Sequence, residues 1–294
     1  MATTIEADVR PDIRTEDVEY QHQGGHALLA RLYRPAGTGP YPAVVQVHGG
    51  AWVNKDRTDN DFIALALAES GILVASIDFR MPPEAPYPAS LADINLAVRW
   101  LKARARTYGS RPDWVGSMGT SSGGHQVLLA AMRPDDPRYA ALPLPPPYPP
   151  PHAGEGRVGA IDARVAFVIS GWGVLDPLLR YHLAKQAGNA ELMENHHAFW
   201  TDEATMSEGS PPAILDRGEK VDLPPALVFG GDSDEWVPLE TMQRLVQGWK
   251  KGGGAVELQL YPGAKHGFMT GNPDAPYARP AIERMKAFIR KNTG

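Results

Sequence analysis

Cysteine is absent from this 294-residue chain. That excludes disulfides, thiolate metal ligands and a cysteine nucleophile together. Basic residues are not in excess either: 29 Lys and Arg stand against 34 Asp and Glu, a net charge of −5. Nothing in that balance suits a phosphate backbone, and nucleic-acid binding is not expected. No stretch approaches the roughly 20 apolar residues of a membrane span. The opening MATTIEADVRPDIRTEDVEY carries acids and no apolar core of signal-peptide length. No membrane partner and a cytoplasmic location are therefore expected. No H-E-x-x-H occurs, and His196-His197, adjacent on a helix, would face different directions, so no metal site is expected.

What is present is ordinary globular composition, with 43% hydrophobic and 21% charged residues. Glycine (30) and proline (28) are abundant, which reads as many tight turns and some long loops. Residues 17–24 and Ala27–Arg34 alternate about Gly24-Gly25, a β-hairpin signature. Ala43–Val47 and Ile72–Ile77 are short continuous apolar runs suited to strands buried on both faces. Val115–Met118, Val165–Ile169, Ala226–Phe229 and Val256–Tyr261 read as further strands. Helical spacing covers residues 59–69, 89–106, 123–132, 239–250 and 276–291. This alternation predicts an α/β chain with a mainly parallel central sheet, as one domain over residues 1–294. Two stretches break the rhythm. Residues 141–156 hold seven prolines and are expected to be a surface loop. Residues 174–223 contain no strand signal, and are expected to form a helical, lid-like insertion over one sheet edge.

The informative segment is Gly119-Thr120-Ser121-Ser122-Gly123, a G-x-S-x-G directly after a strand and before a helix. That context is a nucleophile elbow: the tight turn strains Ser121 and projects its hydroxyl above the sheet. The N–H of Ser122, at the helix start, faces where an oxyanion would form. The order expected after the serine is acid, then histidine. LVFGGDSDEWVP offers Asp232, Asp234 and Glu235 at one strand end, and LYPGAKHGF offers His266 at another. His266 has the strand–loop–helix placement of a catalytic base. His152 lies in the proline loop, and His182, His196 and His197 lie in the insertion, where a surface role is expected. Upstream, His48-Gly49-Gly50-Ala51-Trp52 follows the third strand, where an oxyanion loop sits. Gly49, Gly50 and Ala51 are the candidate donors there, and His48 and His125 are expected to be structural. Trp52, Trp172, Trp200 and Trp236 lie near the site and are candidates either for an apolar pocket or for packing.

HGGAW, VASIDFRMPPEAPYPASLADINLAVRWL, GTSSGGH, GGDSDEWVP and KHGF together resemble an α/β-hydrolase-fold carboxylesterase. The nearest groups are the bacterial hormone-sensitive-lipase-like esterases and the acetyl-xylan/feruloyl-esterase-like (BD-FAE-like) branch. The resemblance runs from about residue 25 to the end. It implies the α/β-hydrolase fold, no cofactor, and hydrolysis of a small-molecule ester through Ser121, Asp234 and His266. Its G-x-x-D-x-x-V-P motif selects Asp234 among the three carboxylates. Two departures stand out: Ala51 replaces the third glycine of HGGG, and the residues before His48 read as strands rather than as a helical cap. An amidase or arylformamidase with the same triad is the alternative enzyme, and a non-catalytic hydrolase-fold receptor the alternative class. Acyl and alcohol preference and oligomeric state are not legible.

Overall fold

The computed structural model describes residues 13–23, 25–145 and 161–294. The expectations for residues 1–12, for Gly24, and for most of the proline-rich stretch including His152 lie outside the described residues. The chain begins with the expected hairpin, strand β1 (Ile13–Gln23) pairing antiparallel with β2 (His26–Pro35). Then follow β3 (Tyr41–Val47), helix α1 (Asp61–Glu69), β4 (Leu73–Ile77), α2 (Ala89–Arg104), β5 (Ser110–Thr120) and α3 (Ser122–Met132). After β6 (Val168–Gly171) come four consecutive helices, α4 (Pro177–Gln186), α5 (Ala190–Phe199), α6 (Glu203–Glu208) and α7 (Pro211–Asp216). The chain closes with β7 (Ala226–Gly231), α8 (Leu239–Lys251), β8 (Val256–Tyr261) and α9 (Ala278–Lys291).

The eight strands form one sheet in the order β1-β2-β4-β3-β5-β6-β7-β8. All neighbours from β4 to β8 pair in parallel, and β2 alone runs against the rest. Parallel strands need crossover helices that cover both faces, so the central strands are buried on both and mostly apolar. Ala43, Val44, Val45 and Val47 of β3 are all fully buried, and they divide between two hydrophobic clusters, one on each face of the sheet. Order and direction place the carboxyl ends of β3, β5, β6, β7 and β8 along one edge, where parallel α/β sheets carry their sites.

β6 differs from its sequence signature. The apolar run begins at Val165, but ladder pairing begins at Val168, opposite Ser117. The run reports burial, which Phe167 has in full, whereas strand bounds follow backbone pairing.

The four helices of residues 174–223 have the starts their sequence dictates. Asp176, Asn189, Asp202 and Ser210 each accept the N–H three residues on, from Leu179, Leu192, Thr205 and Ala213. Helix α7 packs on α3 and α8, and Phe199, Trp200, Met206 and Ile214 of the segment join the principal core. Among the described residues no helix is long and apolar enough to cross a membrane.

Candidate active site

Strand β5 ends at Thr120, and α3 starts at Ser122, leaving Ser121 alone to turn the chain. It does so at φ 53, ψ −123, a region that costs a non-glycine residue on the order of 1–3 kcal/mol. The glycines of the motif are required by close approach. A Cβ on Gly119 would lie 2.4 Å from the Gly123 backbone, and one on Gly123 would lie 2.3 Å from the carbonyl oxygens of Val47 and His48. Helix α3 is thus pressed directly onto the ends of β3 and β5. The Ser121 N–H donates to Gly171 (2.9 Å), while its carbonyl accepts from Val174 (3.0 Å) and His125 (3.2 Å).

Two further loops at the same edge meet the serine. His266, in the turn after β8, has Nε2 2.9 Å from Ser121 Oγ and Nδ1 2.9 Å from Asp234 Oδ2. A carboxylate only accepts, so Nδ1 carries the hydrogen and Nε2 is left free to accept the seryl proton. Asp234 follows β7. Its side chain is fully buried, and its Oδ1 accepts the N–H groups of Trp236 (2.8 Å) and Val237 (2.9 Å). The other two acids of that loop are engaged elsewhere. Asp232 accepts from the Gly263 N–H (2.7 Å) and the Ser233 hydroxyl, so it ties the β7 loop to the turn preceding His266. Glu235 is exposed beside Lys265.

The loop after β3 lies against Ser121: a Cβ on Gly49 would stand 3.2 Å from the Ser121 Cβ. Gly50, Ala51 and Trp52 have φ of 97, 50 and 68, three successive left-handed residues that a third glycine would ease and that Ala51 adopts under strain. The N–H groups of Gly50, Ala51 and Ser122 meet no acceptor among the described residues. The Trp52 N–H donates to Ser122 Oγ (3.1 Å), which fixes this loop to the elbow and commits the Ser122 hydroxyl.

The tryptophans divide. Trp52, Trp172 and Trp200 are at most 1% exposed, so packing rather than a pocket surface is their place. Trp52 is the centre of an aromatic block formed by Phe199, Trp200, His125 and His196, with ring centres 5.1–5.8 Å away. Trp236 alone is half-buried, and it borders a depression beside the acid. The histidines divide as well. His48 stacks on Phe79 and bonds to the Gly49 carbonyl within its own loop. His125 bonds the Gly209 carbonyl (2.8 Å). His196, expected at the surface, is fully buried with Nδ1 donating to the Leu192 carbonyl (2.7 Å), because the inner face of α5 is turned onto Trp52. His182 and His197 do lie on the outer side, beside Glu203 and Tyr181. Sequence reading also passed over Arg180, a lone arginine in α4. It is buried and near enough to feel the charge of Asp234. Nothing in its spacing marks it.

Burial pushes both His125 and His196 down to about 4. Each is neutral in the folded state, while in the unfolded chain each protonates near its ordinary value of about 6.5. Between those limits the unfolded chain binds more protons. Their contribution is therefore full above pH 6.5 and is lost as pH falls towards 4. Thermal melts across this range are expected to show a steady fall in Tm on acidification, and a flat profile would contradict the two buried imidazoles.

A BD-FAE family model matches residues 31–248, most of the chain. The chain belongs to the BD-FAE family. This BD-FAE chain is 27% identical over 268 residues to the "Probable carboxylic ester hydrolase LipM" of Mycobacterium tuberculosis, covering 86% of this chain and 55% of that protein. It is 29% identical over 239 residues to Esterase LipC of the same organism, covering 79% and 54%. The chain thus spans about half the length of the curated relatives it matches. Among solved structures, the propionate-bound esterase Est2 of Thermogutta terrifontis aligns with a TM-score of 0.72 and 25% identity over 94% of each chain. The fold of this BD-FAE member is the α/β-hydrolase fold, as the resemblance implied.

Proposed function

We propose that this chain is a serine carboxylesterase in which Ser121 is the nucleophile, His266 the base and Asp234 the residue that orients it. The observation that carries the reading is the unbroken relay from Ser121 Oγ through His266 to Asp234, 2.9 Å at each step. His266 takes the seryl proton as Ser121 attacks the ester carbonyl, and Asp234 stabilises the imidazolium. The oxyanion is received by the N–H of Ser122 and by those of Gly50 and Ala51, with Gly49 giving the carbonyl room to approach. His266 then returns its proton to the departing alcohol. Water, deprotonated in the same way, releases the acid and restores Ser121.

The ester-hydrolase names of the relatives support an ester over an amide. The propionate in the Thermogutta enzyme supports a short acyl group. We place residues 174–223 as a fixed cap within a single domain, since their core contacts are those of a packed layer rather than of a hinged lid. The test is a panel of 4-nitrophenyl esters of rising acyl length beside matched anilides. Esters are expected to turn over faster than anilides, with short acyl groups preferred. Faster anilide cleavage would move the chain to the amidase reading.

A further inference from the structure

Strand β6 ends at Gly171, and Trp172 turns the chain there at φ 37. A left-handed backbone is one that a large side chain rarely adopts. Strain of this kind persists only where the surroundings over-determine it, and it gathers where a site must be held. The chain on both sides of Trp172 is engaged with the elbow. Gly171 accepts the Ser121 N–H (2.9 Å), and Val174 donates its N–H to the Ser121 carbonyl (3.0 Å). Trp172 itself donates its N–H to the Phe229 carbonyl in β7 (2.6 Å).

The ring makes a second connection. Trp172 is buried, with its ring centre 5.7 Å from that of Phe229 and 5.1 Å from that of Phe268, both contacts edge-on. Phe268 stands two residues after His266 and is half-buried. Its other ring neighbours are Tyr261 (5.1 Å) and Tyr277 (6.3 Å). The Tyr277 hydroxyl donates to the Pro262 carbonyl (2.9 Å), at the start of the same turn. The turn bearing His266 is therefore bedded on rings. Of these, Trp172 belongs to the segment that holds Ser121.

Sheet order gives this connection its weight. Ser121 follows β5 and His266 follows β8, with β6 and β7 between them. Their strand ends are about 14 Å apart, three strand spacings of roughly 4.8 Å. Asp234 holds the imidazole by Nδ1, and the Gly263 bond to Asp232 ties the turn to the loop after β7. Neither reaches β5. The Trp172–Phe268 contact does, through the backbone bonds of Gly171 and Val174. We propose that Trp172 is a positioning residue for proton transfer: its ring, braced on Phe268, sets the spacing of His266 Nε2 from Ser121 Oγ. Its strained backbone is retained because it aims the ring at the His266 turn. The proposal rests on the esterase reading. Proton transfer needs that spacing, and an error of about 1 Å made by a residue outside the chemistry costs up to about a hundredfold.

The experiment measures kcat, KM and Tm on a short 4-nitrophenyl ester, with active sites counted by the burst of 4-nitrophenol from a 4-nitrophenyl phosphonate. Trp172→Leu and Phe268→Ala are each expected to lower kcat per active site by about 10- to 100-fold, with KM within about threefold of wild type. Trp172→Phe, which keeps a ring to meet Phe268, should recover most of the loss. The double variant Trp172→Leu/Phe268→Ala should stay within about twofold of the slower single variant, since both substitutions remove one contact. Phe268 is half-buried, so Phe268→Ala reports on the contact even if Trp172→Leu does not fold. A lower Tm with kcat per active site unchanged is the signature of plain packing and overturns the proposal while leaving the esterase reading intact. Losses confined to KM, or losses that multiply in the double variant, overturn it in the same way.

A second measurement needs no ester turnover. Phosphonate labelling of Ser121 requires the same transfer of the seryl proton to His266. If wild type cleaves no ester, the esterase reading falls and the labelling rate alone decides the positioning role. Labelling at least about tenfold slower in Phe268→Ala than in wild type upholds it. Equal rates, or no labelling of wild type, overturn it.

Discussion

Ser121→Ala is expected to fold normally and to lose ester turnover by a factor on the order of 10⁴ to 10⁶, the range found when a triad serine is removed. The substitution deletes one oxygen and disturbs little else. Alanine, like serine, is an L-residue at φ 53, ψ −123, so the strain of the turn is unchanged. The backbone bonds of residue 121 to Gly171, Val174 and His125 do not involve its side chain. Residual catalysis would come from the oxyanion donors and from binding. The measurement is kcat on a short 4-nitrophenyl ester, with a thermal melt as the control for folding. A serine-directed phosphonate should label wild type at Ser121. Labelling at Ser122 would contradict the assignment, but that hydroxyl is buried and accepts the Trp52 N–H. Retained turnover in Ser121→Ala would sink the esterase mechanism.

Asp234→Asn is expected to cost on the order of 10⁴-fold in kcat, the loss seen when the triad aspartate of a serine protease is made an amide. The hydrogen bonds dictate which way the amide sits. Asp234 Oδ1 accepts two backbone N–H groups, and only the amide oxygen can replace it there. The NH₂ is then turned towards His266 Nδ1, which must accept rather than donate. The hydrogen moves to Nε2, and the imidazole faces Ser121 with a proton it cannot trade for another. Asp232→Asn is the control. Its bond from the Gly263 N–H can be kept by an amide oxygen, so activity should stay within about tenfold of wild type. Steady-state kinetics on both variants decide between the carboxylates, and the reverse pattern would shift the acid by two residues.

These assignments were open to sequence reading because each belongs to a local rule. The elbow is a strand, a tight turn and a helix within a dozen residues. Ser121 is legible from Gly119 and Gly123, whose missing side chains are demanded by contacts on either side of it. The buried β3 is legible from Ala43–Val47, and the helical character of residues 174–223 from their lack of a strand signal. What escaped depends on partners distant in the chain. Trp52 and Trp200 look alike in sequence to Trp236, and only the docking of α5 decides that the first two are interior. His196 and His197 are neighbours with opposite fates for the same reason. Arg180 has no local signature, because an arginine on a short helix is ordinarily solvated and its burial is imposed by Trp52 and the loops after β6 and β7.

The aromatic block around Trp52 sets a limit on modularity. One member sits in the loop after β3 that also supplies Gly50 and Ala51, one sits in α3 just past Ser121, and three sit in α5 and the turn that follows it. Helices that cap a hydrolase site are attractive units for exchange when substrate range is to be redesigned. Here such a graft would break ring contacts reaching into the loop that carries the proposed oxyanion donors. A transplanted cap would have to bring its own complement to Trp52 and His125, or those two positions would have to be recast with it, as a single block inherited together.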